Sequence, residues 1–382
     1  MTSMSSTAIK CIMFTGFPLL AWLLVLPFTG VRRGLWVAAV ALFTEALWLG
    51  LRGRLGRGLF SLLSLHLGRA RNVGAALLGR LGRRNLSILF TAALVFVPLL
   101  QSNYERDIMT LGAMYVVLAL GLNLVVGQTG LLNLGYVAFY AIGAYTYAIL
   151  NTRFGLSFWP GLVVGAGAAG VCAVLVGVVT LRLRGDYFAI VTLGLGEITR
   201  IVINNWDSMT GGPNGISNIG RPVLGGMVFS SHLHFYYLIL AIAVVMTFGM
   251  HRLISSRVGR AWIAIREDET AAEAMGIDTF RMKLLAFVLG SSLAGLVGVF
   301  FAAKMAFVSP ESFTFFESVI ILCMVVLGGM GSIPGIVLGA FLLILLPEVF
   351  RGFQDYRMIA FGLALVLMMI FRPQGLLGRA KT

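Results

Sequence analysis

Side chains that could bind a metal or act as nucleophiles are few in this sequence and lie far apart. They comprise four histidines and three cysteines: His66, His232, His234 and His251, with Cys11, Cys172 and Cys323. None of them has a CxxC, CxxH or HExxH spacing, and neither GxSxG nor GxxxxGK[ST] occurs. The sequence therefore predicts no catalytic activity, no metal site and no cofactor.

A second group of polar residues lies within or beside long apolar stretches. Polar groups in such stretches are costly in lipid and usually face a cavity or another helix. Glu197 and Arg200 are three residues apart on one helix face, so they either neutralise each other or take part in passage of a solute. We interpret five residues as candidates for a translocation pathway: Asn123, Gln128, Asn133, Thr192 and Glu197.

The composition indicates an integral membrane protein. Of the 382 residues, 59% are hydrophobic and 12% are charged, which is about half of the roughly 25% charged residues in soluble domains. Apolar stretches of about 20 residues recur along the chain, and no alternating strand pattern appears, so the spans must be helical. The net charge of +14 comes from arginines at span ends and does not indicate nucleic-acid binding.

The hydropathy pattern predicts an all-α bundle of about 10 to 12 transmembrane helices. Glycines recur within several spans, which allows close helix packing in a membrane. The candidate spans are residues 11–29, 34–51, 86–102, 108–127, 134–150, 159–181, 187–203, 235–252, 284–303, 317–332, 335–350 and 357–371.

The distribution of basic residues predicts the orientation in the membrane. Residues 52–84 contain eight arginines and no acidic residue, and such a segment is expected at the anionic cytoplasmic face, as a linker or a partner-docking element. Both termini are then cytoplasmic. We divide the chain into residues 1–84, with two spans and this Arg-rich segment, and a core of residues 85–382.

A polar loop at residues 253–283, here called the coupling loop, is predicted to be cytoplasmic. Glu267, Asp268 and Glu269 suit the positive end of a short helix, and Gly276 suits its end. Such a helix, with a small apolar side made of alanines, is suited to dock against a partner protein.

Several segments resemble the LivM-type permeases of branched-chain amino acid importers. The coupling loop contains TAAEAMG at 270–276, which is similar to the EAAxxxG loop of ABC-importer permeases, with Thr in place of Glu. The other similar segments are LRLRGDYFAIVTLGLGEITRIVINN at 181–205, TGGPNGIS at 210–217, GRAWIAIREDE at 259–269, FVSPESFTFFES at 307–318, VLGGMGS at 326–332 and FRPQGLLG at 371–378.

The resemblance implies an ATP-driven importer in a bacterial inner membrane. Its partners would be a LivH-like second permease, two ATP-binding subunits that hydrolyse the ATP, and a periplasmic amino-acid-binding protein, with membrane lipid around the spans. The residues that would couple this chain to the ATP-binding subunits are Arg257, Arg260, Arg266, Glu267, Asp268, Glu269, Ala271, Ala272 and Gly276.

Three alternatives remain open from the sequence. A permease for urea or short-chain amides would have a similar sequence, and an ion-coupled secondary transporter would need more intramembrane acids than this chain offers. A membrane scaffold would need only the coupling loop. The Gly-rich segments 125–135 and 325–335 are either broken helices that expose backbone to a substrate path or simple turns between helices.

Overall fold

The computed structural model describes residues 98, 102–183, 185–224, 226–229, 231–349, 362, 366 and 375. The predicted spans 11–29, 34–51, 86–102 and 357–371 and the Arg-rich segment 52–84 lie outside these residues, apart from single positions. The helices are α1 (Asn103–Asn123), α2 (Tyr136–Phe154), α3 (Phe158–Thr180), α4 (Asp186–Asn205), α5 (Asp207–Thr210), α6 (His232–Ser255), α7 (Arg257–Glu267), α8 (Glu269–Ala274), α9 (Thr279–Met305), α10 (Phe315–Gly328) and α11 (Ile333–Val349).

This helical architecture confirms the predicted fold class. Each of the eight candidate spans between residues 108 and 350 coincides with one long helix, within a few residues at each end. By length and composition, five helical stretches of the described chain could cross a membrane: Asn103–Gln128, Phe158–Thr180, His232–Ser255, Thr279–Met305 and Pro310–Gly328. The total number of crossings stays a prediction.

Helix α9 lies at the centre of the described bundle and packs against α1, α2 and α3. Glycines allow this close approach, because a Cβ atom on Gly143 of α2 would overlap the backbone of Gly295 of α9. Similarly, a Cβ on Gly290 would lie 2.6 Å from the carbonyl oxygen of Gly121 in α1. The glycine-rich spans are therefore helix-packing surfaces, as small residues in membrane bundles generally are.

Short strands join two loops on one side of the bundle. Strand β1 (Ile216–Ser217) pairs antiparallel with β4 (Phe307–Val308), and β2 (Val223–Leu224) pairs with β3 (Met227–Val228). The first pair fixes the loop that follows α4 and α5 to the loop that follows α9. The long loop between α5 and α6 is thus folded onto the bundle.

Candidate functional site

Helix α1 ends in a break that separates two of the predicted spans. After Asn123 it widens into a π-helical turn, Leu124–Gln128, and the hydroxyl of Thr129 donates to the carbonyl of Val125 at 2.7 Å. Gly130 has φ +77°, a backbone conformation that glycine adopts without strain. The chain stays non-helical until α2 begins at Tyr136, so residues 130–135 form what we call the first break.

The second break, residues 329–332, separates α10 from α11. Gly329 and Gly331 have φ values of +105° and +86°, and the amide of Ser332 donates to the carbonyl of Gly329 at 3.0 Å. Helix α10 ends at Gly328, four residues before the end of the predicted span 317–332. Gly329 and Gly331 turn the chain there, although the apolar pattern continues.

The two breaks contact each other. The amide of Gly331 donates to Oδ1 of Asn123 at 2.9 Å, and Nε2 of Gln128 donates to the carbonyl of Gly331 at 3.4 Å. A Cβ atom on Gly127 would lie 2.7 Å from the amide nitrogen of Gly331. Two of the five pathway candidates thus tie the first break to the second, across 208 and 203 residues of sequence.

Two more pathway candidates, Thr192 and Asn133, hold the chain that leaves the first break. The hydroxyl of Thr192 accepts from the amide of Leu134 at 3.2 Å, and Oδ1 of Asn133 accepts from the amide of Gly135 at 3.0 Å. Both side chains are fully buried. These two side chains accept hydrogen bonds from backbone amides that have no helical partner at this point.

Two buried side-chain nitrogens at the first break and the helix before it lack hydrogen-bond partners in the part of the chain that the structure describes. The Nδ2 atoms of Asn123 and Asn133 have no hydrogen-bond partner among the described residues. Ser318 of α10 also contributes, since its hydroxyl accepts from the amide of Val137 at 3.0 Å. Ser318 was not among the predicted site residues, because a single serine near the start of an apolar helix carries no distinctive signal.

Glu197, the fifth pathway candidate, lies apart from this cluster. It is five residues from Thr192, about 140° around the helix, and Arg200 donates to its Oε2 at 2.8 Å. About a third of each side chain is exposed, beside the exposed Ile198 and Ile201. The predicted i,i+3 ion pair is therefore present, but the structure does not bring Glu197 to the breaks.

The coupling loop contains the helices α7 and α8. Asp268 caps α8, accepting from the amide of Ala271 at 3.0 Å, and Gly276 has φ +84° just after the helix. Ala271 is exposed and Met275 is 83% exposed, whereas Ala272 is only 4% exposed. The outward face of α8 is thus formed by the neighbours of Ala272, and Ala272 itself packs inward.

Two contacts attach the coupling loop to the start of α9. The indole of Trp262, which is fully buried, donates to the carbonyl of Met282 at 2.7 Å. Glu269 pairs with Lys283 at 2.5 Å, and the Lys283 side chain is 7% exposed. Trp262 and Lys283 were not among the predicted site residues, because each contact joins two different helices and the periodicity of one helix does not predict its neighbours.

The three arginines assigned to coupling have different surroundings. Arg257 and Arg260 are exposed, and Arg260 donates to the carbonyl of Ser255 at 3.4 Å. Arg266 also has an exposed surface, but its Nη1 donates to the carbonyl of Gly127 at 2.6 Å. Of these three, Arg266 reaches the π-helical turn before the first break.

Comparisons with known proteins give a consistent result. Residues 106–371 match the family described as "Branched-chain amino acid transport system / permease component". The chain is 47% identical over 316 residues to the "High-affinity branched-chain amino acid transport system permease protein LivM" of Escherichia coli K12, covering 76% of this chain and 74% of that protein.

More distant relatives carry related descriptions. The permease protein BraD of Pseudomonas aeruginosa is 29% identical over 72% of this chain and 94% of its own length. The permease protein LivH of E. coli K12 is 27% identical over 71% of this chain and 94% of its own length. No solved structure was found to match the chain.

Proposed function

This chain belongs to the family of branched-chain amino acid transport permeases, and we propose that it serves as one permease subunit of an ATP-driven importer of leucine, isoleucine and valine. The observation that carries this proposal is the 47% identity to LivM over 76% of the chain. The proposed location is the bacterial inner membrane, with both termini in the cytoplasm.

A second permease completes the proposed membrane part. E. coli K12 has two branched-chain amino acid permease proteins, LivM and LivH, and this chain is similar to both. The greater identity to LivM favours pairing with a LivH-like chain. Since the sequence has no phosphate-binding GxxxxGK[ST] motif, ATP hydrolysis is assigned to separate subunits and this chain is not an enzyme. A periplasmic binding protein would deliver the amino acid.

The coupling loop is the proposed contact with the ATP-binding subunits. Its α8 presents an outward face that includes Ala271 and Met275, while the capping residue Asp268 and the ion pair of Glu269 with Lys283 hold it in position. The cap stabilises this short helix, and the ion pair attaches it to α9. Arg257 and Arg260, exposed on α7, are available to acidic groups of a partner.

The two breaks are the proposed moving part of the pathway. Helix breaks in membrane transporters expose helix ends and backbone where a substrate passes. Asn123, Gln128, Asn133 and Thr192 bind backbone at the breaks, so we assign them to holding this region in a defined conformation. The unpaired Nδ2 atoms of Asn123 and Asn133 are buried donors that a water molecule or a carboxylate would satisfy.

Uptake by cells with and without this gene tests the proposal. Labelled leucine, isoleucine, valine and urea are supplied separately at low concentration, with ATP depleted in a parallel culture. We expect the gene to be required for ATP-dependent uptake of the three amino acids, with urea unaffected. Loss of urea uptake alone would contradict the cargo, and uptake that follows an ion gradient after ATP depletion would contradict the ATP-driven mechanism.

A further inference from the structure

Arg266 lies where the coupling loop meets both helix breaks. Its Nη1 donates to the carbonyl of Gly127 at 2.6 Å. Its Cγ is 3.4 Å from the position that a Cβ atom on Gly130 would occupy, and its Nη1 is 3.4 Å from the corresponding position at Gly331. One side chain therefore bonds to the end of α1 and lies next to a glycine of each break.

The chemistry at this point suits an arginine. Gly127 lies in the last turn before the first break, where helix carbonyls lack partners within their own helix. A cation at such a helix end is favourable both as a hydrogen-bond donor and through the helix dipole. Gly130 and Gly331, both at positive φ, have no side chains, which leaves room for the arginine stem and guanidinium group.

The helix that carries Arg266 is itself attached to α9. Arg266 is in the last turn of α7, which Trp262 attaches to α9 through the carbonyl of Met282. Glu269 attaches the adjoining α8 to Lys283 of α9. These contacts connect α7 and α8 to α9 and, through Arg266, to the end of α1.

We propose that Arg266 is a positioning residue that transmits movement of the coupling loop to the two helix breaks, and that it does not serve mainly as a contact for an ATP-binding subunit. This inference rests on the proposed ATP-driven import. In the described conformation Arg266 holds the Gly127 carbonyl beside Gly331; movement of α7 shifts or releases that carbonyl and changes how the breaks meet.

The test uses the complete complex of both permeases and both ATP-binding subunits, reconstituted in proteoliposomes with the binding protein. Arg266→Gln removes the charge, Arg266→Lys keeps it, and Arg252→Gln is a matched control on α6. Three quantities are measured for each: leucine transported per ATP hydrolysed, ATP-binding subunits retained on purification, and hydrogen exchange of residues 127–135 with and without a non-hydrolysable ATP analogue.

We expect Arg266→Gln to lower leucine transported per ATP by about tenfold, in line with the loss of a hydrogen bond to a charged group. The ATP-binding subunits should stay bound, and the nucleotide-dependent change in exchange at residues 127–135 should disappear. Arg266→Lys should recover part of the transport ratio and part of the nucleotide-dependent change in exchange. Arg252→Gln should match the unmodified complex. An unchanged transport ratio, or a loss of bound subunits that accounts for the defect, would overturn the inference.

Hydrogen exchange separates this inference from the proposed function. If the unmodified complex binds nucleotide but does not transport leucine, the proposed cargo is wrong, and the exchange measurement still decides the role of Arg266. A nucleotide-dependent change that Arg266→Gln abolishes supports transmission for any cargo. Transmission by Arg266 is contradicted if the nucleotide-dependent change in exchange persists in the variant. It is also contradicted if the unmodified complex shows no such change. If Arg266→Gln does not fold, Arg266→Lys provides the comparison.

Discussion

Gly331 shows how one backbone position controls the contact between the two breaks. It has φ +86°, its amide donates to Oδ1 of Asn123, and its carbonyl accepts from Nε2 of Gln128. A side chain in this left-handed region costs an L-residue roughly 1–2 kcal/mol. The cost is conformational, since a Cβ there would lie at an ordinary contact distance of 3.4 Å from Nη1 of Arg266.

We therefore expect Gly331→Ala to destabilise the protein by about 1–2 kcal/mol. Thermal unfolding of the purified full chain in detergent measures the change. Gly167→Ala is the control, because Gly167 is helical and a Cβ there would meet nothing within 4 Å. Equal melting temperatures for the two variants would show that Gly331 is not under the strain that its conformation implies.

At the residue scale, the sequence identified the polar groups of the site better than their partners. Asn123, Gln128, Asn133 and Thr192 stand out because amides and hydroxyls are rare in apolar spans. Their hydrogen bonds could not be predicted, since Asn123 and Gly331 are 208 residues apart. Val137 and Ser318 are 181 residues apart. Such pairs depend on how the helices pack, and periodicity along one helix contains no information about that.

The coupling helix α8 illustrates the same limit at the scale of an element. Its capping residue and its ending glycine are local signals, and the predicted short helix is present at Glu269–Ala274. The direction of its faces is a tertiary property. Ala271 and Ala272 have the same side chain, but the first is exposed and the second is buried.

This difference in burial predicts different effects of the same substitution. Ala271→Asp places a carboxylate on the outward face near the helix N-terminus, which the helix dipole tolerates. It should therefore leave the melting temperature unchanged and reduce copurification of the ATP-binding subunits. Ala272→Asp buries a charge and should lower the melting temperature as well. Normal copurification and transport with Ala271→Asp would show that this face of α8 does not dock.

Packing of α2 against α9 gives a second prediction for an element. A Cβ on Gly143 would overlap the carbonyl and Cα atoms of Gly295, so the helices would have to separate. Forcing extra atoms into a packed interface costs typically about 1–3 kcal/mol. Gly143→Ala should lower the yield and melting temperature of purified protein, measured beside Gly167→Ala. A variant as stable as the unmodified chain would mean that the two helices separate at little cost.

At the scale of the whole molecule, hydropathy predicted the helical bundle because lipid permits few other solutions for the backbone. The number and order of long helices between residues 108 and 350 followed directly. Hydropathy did not predict the central position of α9 or the contact between the two breaks, since the spans have similar apolar surfaces. Specific glycines select the neighbours, and their partners are revealed only in the folded chain.

Deletion of residues 2–51 tests the orientation of the whole protein and the independence of its core. The family match begins at residue 106, and the deletion removes two predicted spans, an even number. The eight arginines of residues 52–84 remain to hold the new N-terminus in the cytoplasm. We expect leucine uptake close to that of the full chain, with a C-terminal reporter still cytoplasmic. Changing those arginines to Gln in the shortened chain should give mixed orientation; a cytoplasmic reporter in every molecule would mean that the core orients itself by its own charges.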